Sequence, residues 1–126
     1  MEEFINVGKR IPKMDAEEKV TGKAVYIHDL KIPGMLYGKI LYSSHAHAKI
    51  KSIDTSKAEK LPGVKAVLTG YNIPPIKFGV YKDNVPLKAN KVCSLRDEIA
   101  AVAAADPEIA EEALRLIKVE YEILPA

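Results

Sequence analysis

Hydrophobic and polar positions change period several times along the chain, and each change marks a boundary. Residues 1–22 hold Gly8, Pro12 and Gly22 around the charged stretch Asp15-Ala16-Glu17-Glu18-Lys19, which predicts an extended lead-in with at most one helical turn and few buried side chains. Lys23 to Ile27 is β-branched and aromatic and reads as a short strand, closed by His28-Asp29 and followed by a turn at Pro33-Gly34. From Met35 to Tyr42 both alternating sets are apolar, Leu36, Ile40 and Tyr42 on one side and Met35, Tyr37 and Leu41 on the other. That pattern predicts a strand covered on both faces. Ala48 to Ile53 continues as a strand, and the three-residue step from Ile50 to Ile53 predicts a bulge or twist.

Ser56 and Glu59 have the spacing of a capping box, predicting a helix of about two turns that Pro62-Gly63 ends before a strand over Val64 to Thr69. Residues 71–91, with Pro74, Pro75 and Pro86, read as loop. Periodicity alone leaves the small apolar run Ile99 to Ala105 open between strand and helix. Asp106-Pro107 decides it, because Asp caps and Pro opens a new helix, leaving the run before them as a buried central strand. In the helix from Pro107 to Leu116, Ile109, Ala110, Ala113 and Leu114 make one apolar stripe, and Glu111 and Arg115 are spaced as an i,i+4 pair. The period then returns to two, with Ile117, Val119, Tyr121 and Ile123 alternating against Lys118, Glu120 and Glu122 in a half-exposed strand. The order predicts an α+β fold, a small mixed β-sheet with two helices, in one domain spanning residues 1–126.

Composition narrows the functional classes. A chain of 126 residues with 48% hydrophobic and 29% charged positions can bury a conventional core without disulfides or structural metal. Nineteen basic against seventeen acidic residues leave a net charge of +2, too little for a phosphate-backbone footprint, so nucleic acid is not an expected partner. No apolar run approaches the ~20 residues that span a bilayer, and the first ten residues lack signal-peptide order. A soluble, cytoplasmic protein is expected. The single Cys93 excludes an internal disulfide, an iron–sulfur cluster or a Cys-rich zinc site.

Candidate chemistry is sparse. His45 and His47, with His28 earlier, could converge on a metal if they lay on one strand face, but no third ligand is evident, and local hydrogen bonding is the favoured reading. Cys93-Ser94 beside Arg96-Asp97-Glu98 could be an activated nucleophile, yet one Arg is thin support and a small packed side chain is favoured. Asp97-Glu98 and Glu120 with Glu122 are paired carboxylates of the kind common on solvated faces. Glycine-rich nucleotide loops are absent, and the Gly34–Gly38 spacing falls within a strand. No catalytic, cofactor-binding or metal-ligating residue is assigned.

Six strings nevertheless occur in a familiar order. They are Gly8-Lys9-Arg10 through Asp15 with Lys19-Val20-Thr21-Gly22-Lys23-Ala24-Val25-Tyr26 and Asp29; Pro33-Gly34-Met35-Leu36-Tyr37-Gly38; His45-Ala46-His47-Ala48-Lys49-Ile50-Lys51-Ser52-Ile53-Asp54; Leu61-Pro62-Gly63-Val64; Val119-Glu120-Tyr121-Glu122; and Leu124-Pro125-Ala126. Together they resemble the start of the molybdopterin-binding chain of the molybdenum hydroxylases, the xanthine dehydrogenase and aldehyde oxidase family. Residues 71–91 match least. Ser44 stands where many relatives have proline, and Cys93-Ser94-Leu95-Arg96-Asp97-Glu98 replaces a more usual aromatic-Val-Gly-acid stretch.

The resemblance implies an α/β-hammerhead domain, the N-terminal structural domain of an oxidoreductase that hydroxylates purines, other N-heterocycles or aldehydes with oxygen from water. It implies molybdopterin-molybdenum, 2Fe-2S and FAD in the complete enzyme, none of them in this segment, with downstream molybdopterin domains and iron–sulfur and FAD domains or subunits as partners. The chain is then a fragment, inactive alone, whose uncovered apolar surface favours self-association. A free-standing hammerhead module without activity is the alternative.

Overall fold

The computed structural model describes residues 5–125. Along the chain the elements are α1 (Ala16–Val20), a 3-10 turn (Ile27–Asp29), β1 (Tyr37–Tyr42), β2 (Ala48–Asp54), α2 (Ser56–Glu59), β3 (Val64–Thr69), β4 (Lys91–Val92), β5 (Glu98–Ala104), α3 (Pro107–Leu116) and β6 (Lys118–Ile123). The chain divides between Pro33 and Gly34 into two compact units.

In the first unit the expected single helical turn is α1, closed by the Thr21 hydroxyl donating to the Glu17 carbonyl at 2.6 Å and by Gly22 at φ 71°. No described residue of this unit is buried. The strand expected over Lys23 to Ile27 does not form. The Asp29 carboxylate accepts the Tyr26 N–H at 2.9 Å, and the Asp29 N–H returns to the Tyr26 carbonyl at 2.9 Å. These local bonds use backbone groups that a ladder would need.

The second unit contains the sheets. The strands expected in one small sheet divide into two of three strands each, ordered β1-β5-β3 and β4-β2-β6, and every pair is antiparallel. β5 is central, as the apolar run predicts, and carries Ile99, Ala100, Val102 and Ala104 buried. α3 spans the residues predicted for it. Asp106 is in extended backbone and its carboxylate accepts the Glu108 N–H at 2.7 Å, while Pro107 supplies a φ suited to the first turn. Asp106→Ala is expected to cost about 1 kcal/mol, read from the urea midpoint; an unchanged midpoint would show the cap to be dispensable.

α3 lies on the β1-β5-β3 sheet. Ala110 and Ala113 are fully buried against Ala100, Val102, Ala104 and Val67, with Ile109, Leu114 and Leu41 closing the edges. The predicted Glu111–Arg115 pair forms at 3.6 Å, and Glu111 also meets Lys39 at 3.2 Å. A second cluster, Ala48, Ile50, Val92 and Ile99, holds the other sheet, and Ile53 and Val119 touch both clusters.

Two further expectations need correction. α2 is one turn rather than about two, and its cap is Thr55, not a Ser56–Glu59 box. Asp54, two residues before Ser56, already accepts the Ser56 N–H at 3.0 Å, and Thr55 donates to the Glu59 carboxylate at 2.6 Å. Hydrogen bonds from the Ser56 side chain and backbone hold the Asp54 carboxyl below its ordinary range. β1 is covered on one face only: Tyr37 and Leu41 are half-buried on the α3 side, whereas Ile40 and Tyr42 are 43% and 51% exposed. The predicted bulge in β2 is present between Ile50 and Ser52.

Candidate functional site

The histidines lie in the connection between β1 and β2, not on a strand, so the alternation that could have aimed them at one ion is absent. The His45 ring meets the Tyr121 ring edge-on, with centroids 4.8 Å apart. His47 bonds the Pro125 carbonyl through Nδ1, and its own carbonyl accepts the Leu124 N–H at 3.0 Å. His47 therefore helps fix Leu124 and Pro125 at the start of β2, while His45 packs on β6. His28 belongs to the 3-10 turn of the first unit.

Cys93 is exposed, and its N–H donates to Asp97 Oδ2 at 2.6 Å. The Asp97 carbonyl accepts the Ser43 N–H at 2.9 Å, so Asp97 ties the turn after β4 to the end of β1. This carboxylate is used for loop closure. Glu120 accepts the Ser52 hydroxyl at 3.0 Å and Glu122 lies 3.9 Å from Lys51, cross-strand contacts on a solvated face. Of the paired acids, Asp97 meets Cys93 through the backbone N–H of Cys93; among the described residues no group of three His, Cys, Asp or Glu could hold a metal.

Three of the better-formed depressions in the surface are the following. One of about 640 Å³ runs along α3 between Lys39, Glu108, Glu111, Glu112 and Arg115. There Glu111's carboxyl is held below its ordinary range first by its hydrogen bond with Lys39 and then by the Lys39 charge. A second, of about 410 Å³, lies within the loop of residues 70–91. The third, of about 540 Å³, is lined by Tyr42, Leu95, Arg96 and Glu98. Among the described residues, no buried side-chain polar atom lacks a hydrogen-bond partner.

The outer face of the β1-β5-β3 sheet is the feature that residue-by-residue reasoning missed. Register places Gly38, Ala103 and Ala66 in one row, Ile40, Ala101 and Leu68 in the next, and Tyr42 beside Glu98 at the end. Leu68 and Ile40 are each 43% exposed. Its signal is visible in the doubly apolar pattern of residues 35–42, which reads as burial within this chain. The contrast with the other sheet is sharp: the outward pairs there are Lys49–Glu122, Ser52–Glu120 and Asp54–Lys118. One sheet faces water with charge, the other with hydrocarbon.

Two small antiparallel sheets, a central alanine-rich strand and the packed helices α2 and α3 define a hammerhead-type α+β domain. The chain belongs to the family described as aldehyde oxidase and xanthine dehydrogenase, a/b hammerhead domain, whose model matches residues 21–125. It is 48% identical over 123 residues to a probable xanthine dehydrogenase chain of Bacillus subtilis, covering 96% of this chain and 16% of that protein. With the carbon monoxide dehydrogenase large chain of Afipia carboxidovorans it shares 46% over 109 residues, 82% of this chain and 14% of that one. The fold matches a crystal structure of quinoline 2-oxidoreductase from Pseudomonas putida 86 with a TM-score of 0.83 at 32% identity, covering 94% of this chain and 16% of that one. The chain thus corresponds to one small domain of larger oxidoreductases.

Proposed function

We propose that this chain is the hammerhead domain of the molybdopterin-binding polypeptide of a xanthine dehydrogenase or aldehyde oxidase-type hydroxylase. Its contribution is geometric: it braces the domains that hold molybdopterin-molybdenum, and with them the iron–sulfur and FAD domains or subunits through which electrons leave. Oxidation of a purine, another N-heterocycle or an aldehyde belongs to that whole assembly, working in the cytoplasm, and this segment supplies no catalytic, cofactor-binding or metal-ligating residue. One domain spanning residues 1–126, with 1–22 as its lead-in, is the unit intended.

The observation that carries this reading is the family match over residues 21–125 at only 16% and 14% of two relatives' lengths. Among the described residues no helix is long and apolar enough to cross a membrane, which agrees with a domain of such an assembly. The chain alone, assayed with purines and aldehydes and an artificial electron acceptor, is expected to be inert. Turnover should arise only when it is part of the longer polypeptide with its partner subunits. Turnover by the 126-residue chain itself would overturn the scaffold role.

A further inference from the structure

We propose that the outer face of the β1-β5-β3 sheet is a seat for an α-helix, and that the helix comes from the remainder of the same, longer polypeptide. This rests on the reading of the chain as one domain of such a polypeptide.

The inner face of the same sheet shows how such a seat is built. There β5 presents Ala100, Val102 and Ala104, and α3 approaches closely through Ala110 and Ala113, all of them 2% exposed or less. Small side chains on the central strand let a helix backbone come near, while larger ones on the flanking strands wall it in. The outer face repeats that plan without a helix. β5 presents Ala101 and Ala103 along the middle, Ile40 and Tyr42 stand on β1, and Leu68 stands on β3. Ile40 and Leu68 are two strands apart, about 10 Å at the usual strand spacing, and that matches a helix diameter of ~10 Å.

The rim is built for protein as well. Tyr42, Arg96, Glu98 and Leu95 surround the depression at the end of the trough, an aromatic and an arginine beside an apolar centre. A lipid surface would call for a cluster of basic residues, and the rows of this face contain none. A second copy is a poor fit, because two troughs laid face to face leave the alanine floors apart. A helix of the same polypeptide fills the trough, and the match leaves most of each relative's length outside this domain. The occupant should carry an aliphatic stripe, a carboxylate toward Arg96 and a basic group toward Glu98.

Hydroxyl-radical footprinting tests this on two proteins, the 126-residue chain and the polypeptide made from the whole reading frame that encodes it. Ile40, Tyr42 and Leu68 are expected to be labelled in the chain and to lose their labelling in the longer polypeptide. Leu68→Lys should leave the isolated chain's folding unchanged, since the side chain is exposed, yet restore labelling of Ile40 and Tyr42 in the longer polypeptide. Full labelling of the face in a longer polypeptide that turns over purines or aldehydes would overturn the docking while leaving the domain reading intact. Protection that survives Leu68→Lys would overturn it too. Loss of labelling only on dimerisation of the isolated chain would assign the face to a second copy instead. A reading frame that ends at Ala126 would overturn both.

Discussion

Replacing Ile99 with alanine is expected to destabilise the second unit by about 2–5 kcal/mol, the usual cost of emptying a filled core position. Ile99 is fully buried among Ala48, Ile50 and Val92, and it is the extra residue of a bulge: Leu41 pairs with Ala100, but Tyr42 pairs with Glu98. A bulge lets two consecutive residues of a strand turn inward. Ile99 therefore fills one core cluster while Ala100 fills the other, so a cavity here loosens the second sheet's hold as well as removing transfer energy. The check is the urea midpoint of the 126-residue chain with Ile99→Val as companion, expected at about 0.5–1.5 kcal/mol. A loss below about 0.5 kcal/mol for alanine, the range of ordinary surface changes, would remove Ile99 from the core.

Where a local signal and the tertiary environment agree, the sequence predicts the structure closely. Asp106-Pro107 sets the start of α3 because capping and proline geometry act within three residues, and the alternation after Leu116 becomes β6 because one face meets Ile53 and Ile50 while the other meets water. Lys23 to Ile27 fails because strand propensity needs a partner, and Asp29 offers the backbone a nearer bond. The two-residue β4 is hidden because so short a strand has no period of its own; it forms because Ala48 and Lys49 provide an edge for Val92 and Lys91. Division of the strands between two sheets depends on long-range register, which single-residue patterns do not encode.

The candidate sites follow the same rule. Spacing alone puts His45 and His47 together, but the backbone between β1 and β2 is irregular, and each ring finds a separate partner, Tyr121 and Pro125. The doubly apolar pattern of residues 35–42 puts Ile40 and Tyr42 on an exposed face, the one that the helix proposed above would cover. A sequence reports that a face must be buried; it does not report which chain segment buries it. The first unit makes the same point, with Val20, Val25 and Ile27 exposed at 84%, 71% and 84%. Apolar surface on this scale in a family whose larger members share the domain is the ordinary appearance of one piece of a multi-domain protein.

Gly70→Ala is expected to cost about 1–3 kcal/mol by overpacking, although it adds a single methyl group. A β-carbon at this position would lie 2.6 Å from the Leu87 carbonyl oxygen and 2.9 Å from both the backbone nitrogen and the β-carbon of Ala89. Backbone is harder to displace than the tip of a flexible side chain. The returning strand of the loop is also pinned: the Lys88 N–H bonds the Glu98 carbonyl at 2.7 Å, the Tyr71 hydroxyl bonds the Ala89 carbonyl at 2.6 Å, and the Ile50 N–H bonds the Asn90 carbonyl at 2.8 Å. Moving Leu87 to Ala89 aside therefore strains bonds to β5 and β2 and loosens buried Leu87, so the loop from Gly70 to Lys91 should gain amide exchange before the rest of the second unit does. Gly38→Ala is the control, since its β-carbon would meet nothing within 4 Å and should shift stability by no more than about 0.5 kcal/mol. Equal urea midpoints for the two variants would show that the loop does not press on Gly70 and that its packing against the sheets adds nothing to stability.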